Sequence, residues 1–305
     1  MKVLFTGATG VLGREAVPML VANGHDVTGV ARNRDDETWL DSVGARPRTV
    51  DLFDLDSIRD AMAGTDTVIH YATSIPPQTA MTKRRSWETN DRLRSEASRS
   101  LVDAAIAAGV ERFVQQSITF FYADGGDEWL DESSPIAPQW EVLESALVAE
   151  ENVDRFRNAG GTGVTLRLSH LYGPGRASSD YIASVANRKL PIVGAGTNFI
   201  SSLHTRDAAT ATVAALSAPD GTYNVSDDEP QRSADHMKIL AERLEAPRPR
   251  RVPVWLARMV SGPAVALLTT SQRISNAGFK QATGWRPEFP SSTEGWKHVI
   301  AAGDD

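Results

Sequence analysis

A glycine-spaced turn near the start of the chain constrains the fold more than any other feature of the sequence. Residues 6–13 read Thr-Gly-Ala-Thr-Gly-Val-Leu-Gly, between a short apolar run and a helix-periodic segment. Gly7 permits a tight turn off a strand, Gly10 lets backbone N–H groups approach a phosphate, and Gly13 lets the helix lie close to the sheet. A plain turn is the alternative, but the order strand, turn, helix favours a phosphate-binding turn.

Apolar runs alternate with helical patterns over the first half of the chain. We predict strands at residues 2–6, 26–31, 46–50, 67–70, 112–117 and 164–168, and helices at 11–23, 55–63, 86–108 and 141–159. Such alternation is typical of parallel strands joined by right-handed crossovers. The predicted fold class is therefore α/β, with a doubly wound parallel sheet of the Rossmann type.

Beyond residue 171 the pattern becomes irregular and richer in proline. We predict a Rossmann dinucleotide-binding domain over residues 1–170 and a smaller C-terminal α/β substrate lobe over residues 171–305. The strand-like segment 222–225 is assigned to this lobe. A helix at 205–217 is expected to pack back on the first domain.

Composition excludes several classes of function. The chain has no cysteine, which rules out disulfides and thiol nucleophiles. Its net charge of −7 disfavours nucleic acid and anionic membranes as partners. The six histidines lack metal-ligand spacing, so we expect no metal. We see no signal-peptide pattern, and the apolar stretch 259–268 is too short to span a bilayer, so a cytoplasmic location is expected.

The spacing Thr-Gly-x-x-Gly-x-x-Gly resembles that of the extended short-chain dehydrogenase/reductase family, the epimerase/dehydratase type. The resemblance runs along nearly the whole chain. Asp51-Leu52 is similar to the family's adenine contact, Asn90 to its structural asparagine, and residues 166–175 to its sixth strand and nicotinamide loop. Residues 221–225 and 284–296 are similar to its substrate lobe.

The resemblance implies a nicotinamide dinucleotide, and it implies which residues hold it. These are Thr6, Gly7, Thr9, Gly10, Val11, Leu12, Gly13, Arg32, Asp51, Leu52, Ala72, Ser117 and His170. A carboxylate at the end of the second strand usually binds a free ribose 2′-OH, but this stretch reads Val-Ala-Arg-Asn-Arg over residues 30–34. We therefore favour NADP(H), with Arg32 on the 2′-phosphate. The alternative is a solvated Arg32, with Asp35 or Asp36 serving the ribose.

The family's acid/base pair, a tyrosine and a lysine four residues apart, is missing. The resemblance places the tyrosine position at Val142 and the lysine position at Ala146, and none of the five tyrosines precedes a lysine by four residues. A positioned acid contributes about 10²–10⁴-fold in rate. The usual mechanism of the family is therefore in doubt for this chain.

Three other side chains are candidates for the catalytic work, each with a structural alternative. Ser117 could donate to a substrate oxygen or bond only to backbone. Ser95, about one turn beyond Asn90, could reach the cleft or simply be a solvated serine. Tyr122 lies in an aromatic loop, where such residues more often line a pocket than do chemistry. His170 could likewise be an acid or a structural histidine.

These observations predict a ketoreductase that acts on a bulky, flat, polycyclic or aromatic ketone. The reduction can proceed without an acid from the protein if a hydroxyl of the substrate supplies the proton. The aromatic residues Trp87, Trp129 and Trp140 fall in stretches that surround the substrate in the family. Because it lacks the tyrosine–lysine pair, the chain resembles the atypical ketoreductases that tailor aromatic polyketide antibiotics of the simocyclinone type, the angucyclinones. The alternatives are a non-catalytic NADP(H)-binding regulator and a redox-neutral isomerase or cyclase. The oligomeric state stays open, with a homodimer as one arrangement.

Overall fold

A computed structural model describes residues 1–77 and 80–302. Its strands are β1 (Lys2–Thr6), β2 (Asp26–Ala31), β3 (Arg46–Thr49), β4 (Thr67–His70), β5 (Arg112–Ile118), β6 (Trp129–Leu130), β7 (Thr162–Leu168), β8 (His170–Tyr172), β9 (Ile192–Val193), β10 (Phe199–Ile200), β11 (Ser202–His204), β12 (Gly221–Val225), β13 (Gln231–Arg232), β14 (Arg251–Val252) and β15 (Arg273–Ile274).

The α-helices are α1 (Val11–Ala22), α2 (Arg34–Ser42), α3 (Leu55–Met62), α4 (Glu88–Arg92), α5 (Ser98–Ala108), α6 (Glu144–Asn158), α7 (Arg176–Ala186), α8 (Thr205–Ala215), α9 (Ser233–Arg243), α10 (Val254–Ser261), α11 (Ala266–Thr269), α12 (Ala277–Thr283) and α13 (Ser292–Ala301). The predicted helix 86–108 is not uniform. It comprises a 3₁₀ turn at Arg84–Trp87, α4, a π-helical turn at Leu93–Ala97, and α5.

The main sheet contains seven parallel strands in the order β12-β7-β5-β4-β1-β2-β3. This order reverses direction beside β1, as a doubly wound fold requires, and it confirms the predicted fold class. One element differs from expectation. Residues Gly221–Val225, assigned above to the C-terminal lobe, pair with β7 as the seventh strand. The core domain is thus completed by a segment well beyond residue 170.

Apolar side chains bury both faces of this sheet. On one face α1 and α8 meet through small residues such as Ala16, Ala208 and Ala211, which let the two helices approach closely. On the other face α3, α5 and α6 pack around Phe113 and Phe156. Covered on both faces, the sheet has only its strand ends open to ligands.

The strands outside the main sheet form short two-stranded sheets, which pair β6 with β15, β8 with β11, β9 with β14 and β10 with β13. Helix α10 buries none of its residues, and Trp255, Met259 and Val260 are all more than half exposed. Within residues 1–77 and 80–302, we find no helix long and apolar enough to cross a membrane.

Candidate functional site

The glycine turn has the geometry of a phosphate cradle. Gly7 has φ +76°, and a Cβ added there would lie 2.6 Å from the Tyr71 carbonyl, so only glycine fits between β1 and the exit of β4. A Cβ on Gly13 would collide with the carbonyl of Ala8. Gly10 is different, because its added Cβ would meet only the Gly7 carbonyl at 3.2 Å and otherwise open space.

The N terminus of α1 points into that space. Gly10 begins the helix without a side-chain cap, and the first turn carries no acidic residue. The first N–H groups of a helix have no intrahelical partner, so they are available to an anion. These features fit the pyrophosphate of a dinucleotide, with Thr6–Gly13 and Ala72 lining one edge.

The exit of β4 is fixed by a buried histidine. His70 Nε2 lies 3.2 Å from the Leu93 carbonyl, which can only accept, so Nε2 carries the proton. Nδ1 therefore accepts from Thr6 Oγ1 at 2.6 Å. Burial lowers the pKa of His70 to about 4, so the ring is neutral and ties β1 to β4.

The residues predicted to contact the adenine end of the cofactor follow β2 and β3. The Arg32 side chain is 78% exposed, and its Nε lies 3.6 Å from Asp36 Oδ2. Asp36 is itself buried and accepts from the Arg32 backbone N–H at 3.3 Å. Asp51 accepts from the Phe53 N–H at 2.9 Å, which shapes the turn that carries Leu52. Arg32 is thus free to swing toward a ligand, whereas Asp36 is held by the protein.

The positions predicted to have lost the tyrosine and lysine carry apolar side chains, and these side chains lie in apolar surroundings. Val142 and Ala146 are fully buried in one cluster with Phe121. Trp87 and Trp140 close the cluster with an edge-to-face contact at 5.3 Å between ring centroids. These two tryptophans are therefore packed side chains, while Trp129 lies half exposed under Arg273.

Ser117 and Tyr122 belong to a buried polar network. Ser117 Oγ donates to Glu150 Oε1 at 2.5 Å, and Arg167 binds both oxygens of Glu150, with Nη2 2.7 Å from Oε2. Arg167 Nη1 also donates to Tyr122 Oη at 2.7 Å, and this hydroxyl donates to Asn224 Oδ1 at 2.8 Å. Burial raises the pKa of Tyr122, although Arg167 opposes the rise.

Both hydroxyls are fully buried, and their protons are already committed to acceptors. These bonds favour a structural role for both residues over a role in the chemistry. The tentative catalytic role of each, and the cofactor contact expected of Ser117, thereby lose the free hydroxyl on which they rested. The sequence could not have revealed the cause, because Asn224 and Arg167 lie far along the chain from Tyr122.

Ser95 is also turned away from the cleft. Its hydroxyl donates to the Asp91 carbonyl at 2.6 Å, and its own carbonyl accepts from Asn152. Asn90 is buried and accepts from the Ser74 N–H at 3.2 Å, which ties the segment after β4 to the helix. Its neighbour one turn on, Arg94, is a buried charged residue whose burial the sequence did not predict.

A small pocket lies above the ends of β5 and β7. It is lined by the aromatic and aliphatic residues Phe120, Leu143, Phe199, Ile200 and Leu267, together with His170. The His170 ring lies 4.4 Å from that of Phe120, and burial lowers its pKa to about 4. No hydrogen bond to this imidazole occurs among the described residues, so a neutral ring is one of the polar groups that the pocket offers, beside Gln139, Ser201, Thr270 and Gln272.

Comparison with known proteins agrees with this arrangement. The NAD dependent epimerase/dehydratase family matches residues 3–226, and the chain belongs to that family. The family's description supports a nicotinamide dinucleotide as the cofactor, and the glycine cradle fits one.

Among its relatives, the chain is 33% identical to the 3-diazoavenalumate denitrifying reductase of a Streptomyces species, over 97% of this chain and 99% of that protein. It is 25% identical to the 4-hydroxy-2-methyl-3-oxo-4-farnesyl-3,4-dihydroquinoline-1-oxide ketoreductase of Stigmatella aurantiaca, over 79% and 73%. The solved structure of MoeE5 with UDP-glucuronic acid and NAD superposes with a TM-score of 0.79 at 24% identity, covering 100% of this chain and 99% of that one. The named relatives support a reductase, whereas the structural likeness shows the fold.

Proposed function

We propose that this chain is an NADPH-dependent reductase that delivers hydride to a bulky aromatic or polycyclic ketone without a tyrosine acid. The observation that carries the proposal is the apolar burial of Val142 and Ala146 at the positions where the family's acid/base pair is expected. The sealed hydroxyls of Ser117 and Tyr122 add to it, because neither can replace the missing acid without breaking its network.

When bound, the dinucleotide supplies the hydride. The residues of the chain then have three tasks. The turn Thr6–Gly13 holds the pyrophosphate, Arg32 pairs with the 2′-phosphate, and the apolar pocket orients the acceptor and excludes water. The alkoxide left on the substrate takes its proton from a hydroxyl beside the ketone or from water. The neutral His170 ring hydrogen-bonds the substrate and does not act as a charged acid.

A second candidate acceptor is an aromatic diazo compound, favoured by the relative named as a 3-diazoavenalumate denitrifying reductase. Hydride forms a C–H bond at the carbon that bore the nitrogen, the C–N bond breaks, and dinitrogen leaves with the bonding electrons. The step consumes one hydride and no proton. A cleft without an acid is suited to this chemistry.

A substrate panel tests the proposal. NADPH consumption is followed with a ketone that bears an adjacent hydroxyl, with the methyl ether of that ketone, and with an arenediazonium salt. Consumption with the hydroxy ketone supports the proposed reaction, and consumption with the diazonium salt alone supports the second candidate. Tight NADPH binding with no consumption would instead indicate a regulator. Substrate conversion without net consumption would indicate a redox-neutral isomerase or cyclase.

A further inference from the structure

Arg94 is a buried cation without a hydrogen-bond acceptor in the described part of the chain. Only 4% of its surface is exposed, and the guanidinium makes no hydrogen bond to any residue in the described ranges 1–77 and 80–302. Burial lowers its pKa, but only to about 10, so the group stays protonated at neutral pH. An unpaired buried charge is costly, and proteins ordinarily pair it or hydrogen-bond it.

Two polar groups of the protein, Asp91 and His70, act on Arg94 through space without a hydrogen bond to it. Asp91 raises the pKa of Arg94 through space, yet its Oδ2 lies 2.6 Å from Arg84 Nη1. His70 is near enough for Arg94 to lower its pKa, but both ring nitrogens of His70 are bonded to Thr6 and the Leu93 carbonyl. Asp91 thus attracts Arg94 without hydrogen-bonding it, and the carboxylate oxygens of Asp91 are themselves buried without a hydrogen bond among the described residues.

A second unsatisfied donor lies on the same side of the helix. Asn90 precedes Arg94 by four residues, a spacing that places two side chains on one helix face. Its Oδ1 accepts from the Ser74 N–H, which fixes the amide, while its Nδ2 is buried with no acceptor among residues 1–77 and 80–302. Within one helical turn, two donors thus find no acceptor in the part of the chain that the structure describes.

These donors lie beside the carboxyl edge of the sheet. Asn90 is tied to the segment that leaves β4, and Arg94 lies near His70, the last residue of that strand. The helix is locally underwound into a wider π-helical turn at Leu93–Ala97, which contains Arg94. Such turns occur frequently at functional sites, because they re-aim side chains.

We propose that Arg94 and Asn90 form an oxyanion-binding site that takes a carboxylate or phosphate group at the cleft. The guanidinium supplies charge and two N–H donors, and the Asn90 amide supplies a third. The oxyanion can come from a carboxylate on the substrate or from the dinucleotide's pyrophosphate. The proposal concerns binding and does not depend on which reaction the site performs.

Calorimetry on the intact protein tests the site without turnover. The probes are benzoate in the presence of saturating NADP⁺, NADPH, and adenosine 2′,5′-bisphosphate, which lacks the pyrophosphate and the nicotinamide half. In Arg94→Met, we expect either benzoate or NADPH to bind at least about ten-fold more weakly, as for loss of a charge-assisted bond. Adenosine 2′,5′-bisphosphate should bind as before.

The two sources of the oxyanion give different results. Weaker benzoate binding with unchanged NADPH binding identifies a substrate carboxylate, and weaker NADPH binding identifies the cofactor's pyrophosphate. Arg94→Lys should retain part of the affinity. Asn90→Asp keeps the acceptor for Ser74 but replaces the free donor with a negative charge, so it should lose the affinity.

Arg99→Met is the matched control, since Arg99 is exposed on the adjoining helix α5, and it should change no affinity. Thermal melts confirm that each variant is folded. Affinities for benzoate and NADPH that are the same in Arg94→Met and in the parent would overturn the proposal, as would a parent protein that binds no benzoate and binds NADPH independently of Arg94.

Discussion

At the carboxyl edge of the sheet, the polar groups in the half formed by β1 and β4 are bonded differently from those in the half formed by β5 and β7. The first half leaves helix N–H groups and the Gly10 surface open to a ligand. The second half bonds Ser117 and Tyr122 into a sealed network and fills the acid/base positions with apolar side chains. The comparison supports the proposal that this chain binds its cofactor in the first half and works without a protein acid in the second.

The largest expected effect is on the open half. In Gly10→Val the protein should fold normally, because the added side chain meets only the Gly7 carbonyl in the free structure. Its branched side chain would occupy the pyrophosphate space, so titration calorimetry should detect no NADPH binding. Unchanged affinity would mean that the phosphate does not lie at this turn.

On the sealed half, Arg167→Met should mainly affect stability. The variant leaves the Glu150 carboxylate buried without its partner, which costs about 3–5 kcal/mol in the free energy of unfolding. Arg155→Met is the matched control, because its ion pair with Asp103 is half exposed and worth about 0–1 kcal/mol. Urea denaturation measures the free energy of unfolding of both variants. Equal losses of this free energy would show that the network is not sealed from solvent.

Arg32→Ala tests whether Arg32 makes the protein bind NADPH more tightly than NADH. Charge-assisted bonds to a phosphate are worth about 1.5–3 kcal/mol, so NADPH should bind at least about ten-fold more weakly while NADH binding changes little. Fluorescence titration with both cofactors measures the difference. If the two cofactors weaken equally, or if the parent prefers NADH, Arg32 does not read the 2′-phosphate.

The effect that is smallest at neutral pH concerns the pocket histidine. The pKa of His170 is about 4 in the folded protein and about 6.5 when unfolded, so the unfolded state binds the extra proton between these values. The stability that His170 contributes is present above pH 6.5 and is lost as the pH falls toward 4, by about 1.4 kcal/mol per pH unit. Between pH 4 and 6.5, the slope of the unfolding free energy against pH should correspond to one proton fewer in His170→Gln than in the parent. An unchanged slope would mean that the ring is solvated.

The sequence allowed the open half to be predicted, because its signals are local. The glycine spacing, the apolar strands and the helix start lie within a few residues of one another, and each has a direct backbone cause. Helix α2 was missed, although Asn33 caps it and acidic residues follow in its first turn, which are usable signals.

The sealed half could not be predicted in the same way. The network joins residues as far apart as Tyr122 and Asn224, and Asn224 reaches it only because Gly221–Val225 joins the main sheet. Burial of Arg94 is likewise invisible in a helix rich in arginine. Long-range pairing, not local pattern, decides which polar groups are free.

The most direct test of the central claim is a single-turnover measurement of hydride transfer from NADPH. The parent, Ser117→Ala, Tyr122→Phe and His170→Gln are each compared on a hydroxy ketone and on its methyl ether. We expect each variant to lower the rate constant far less than the roughly 10²–10⁴-fold expected for loss of a general acid, and the ether to lower it more than any variant does. A single variant that lowers the rate about a thousand-fold, with NADPH binding intact, would contradict the account by revealing a protein acid.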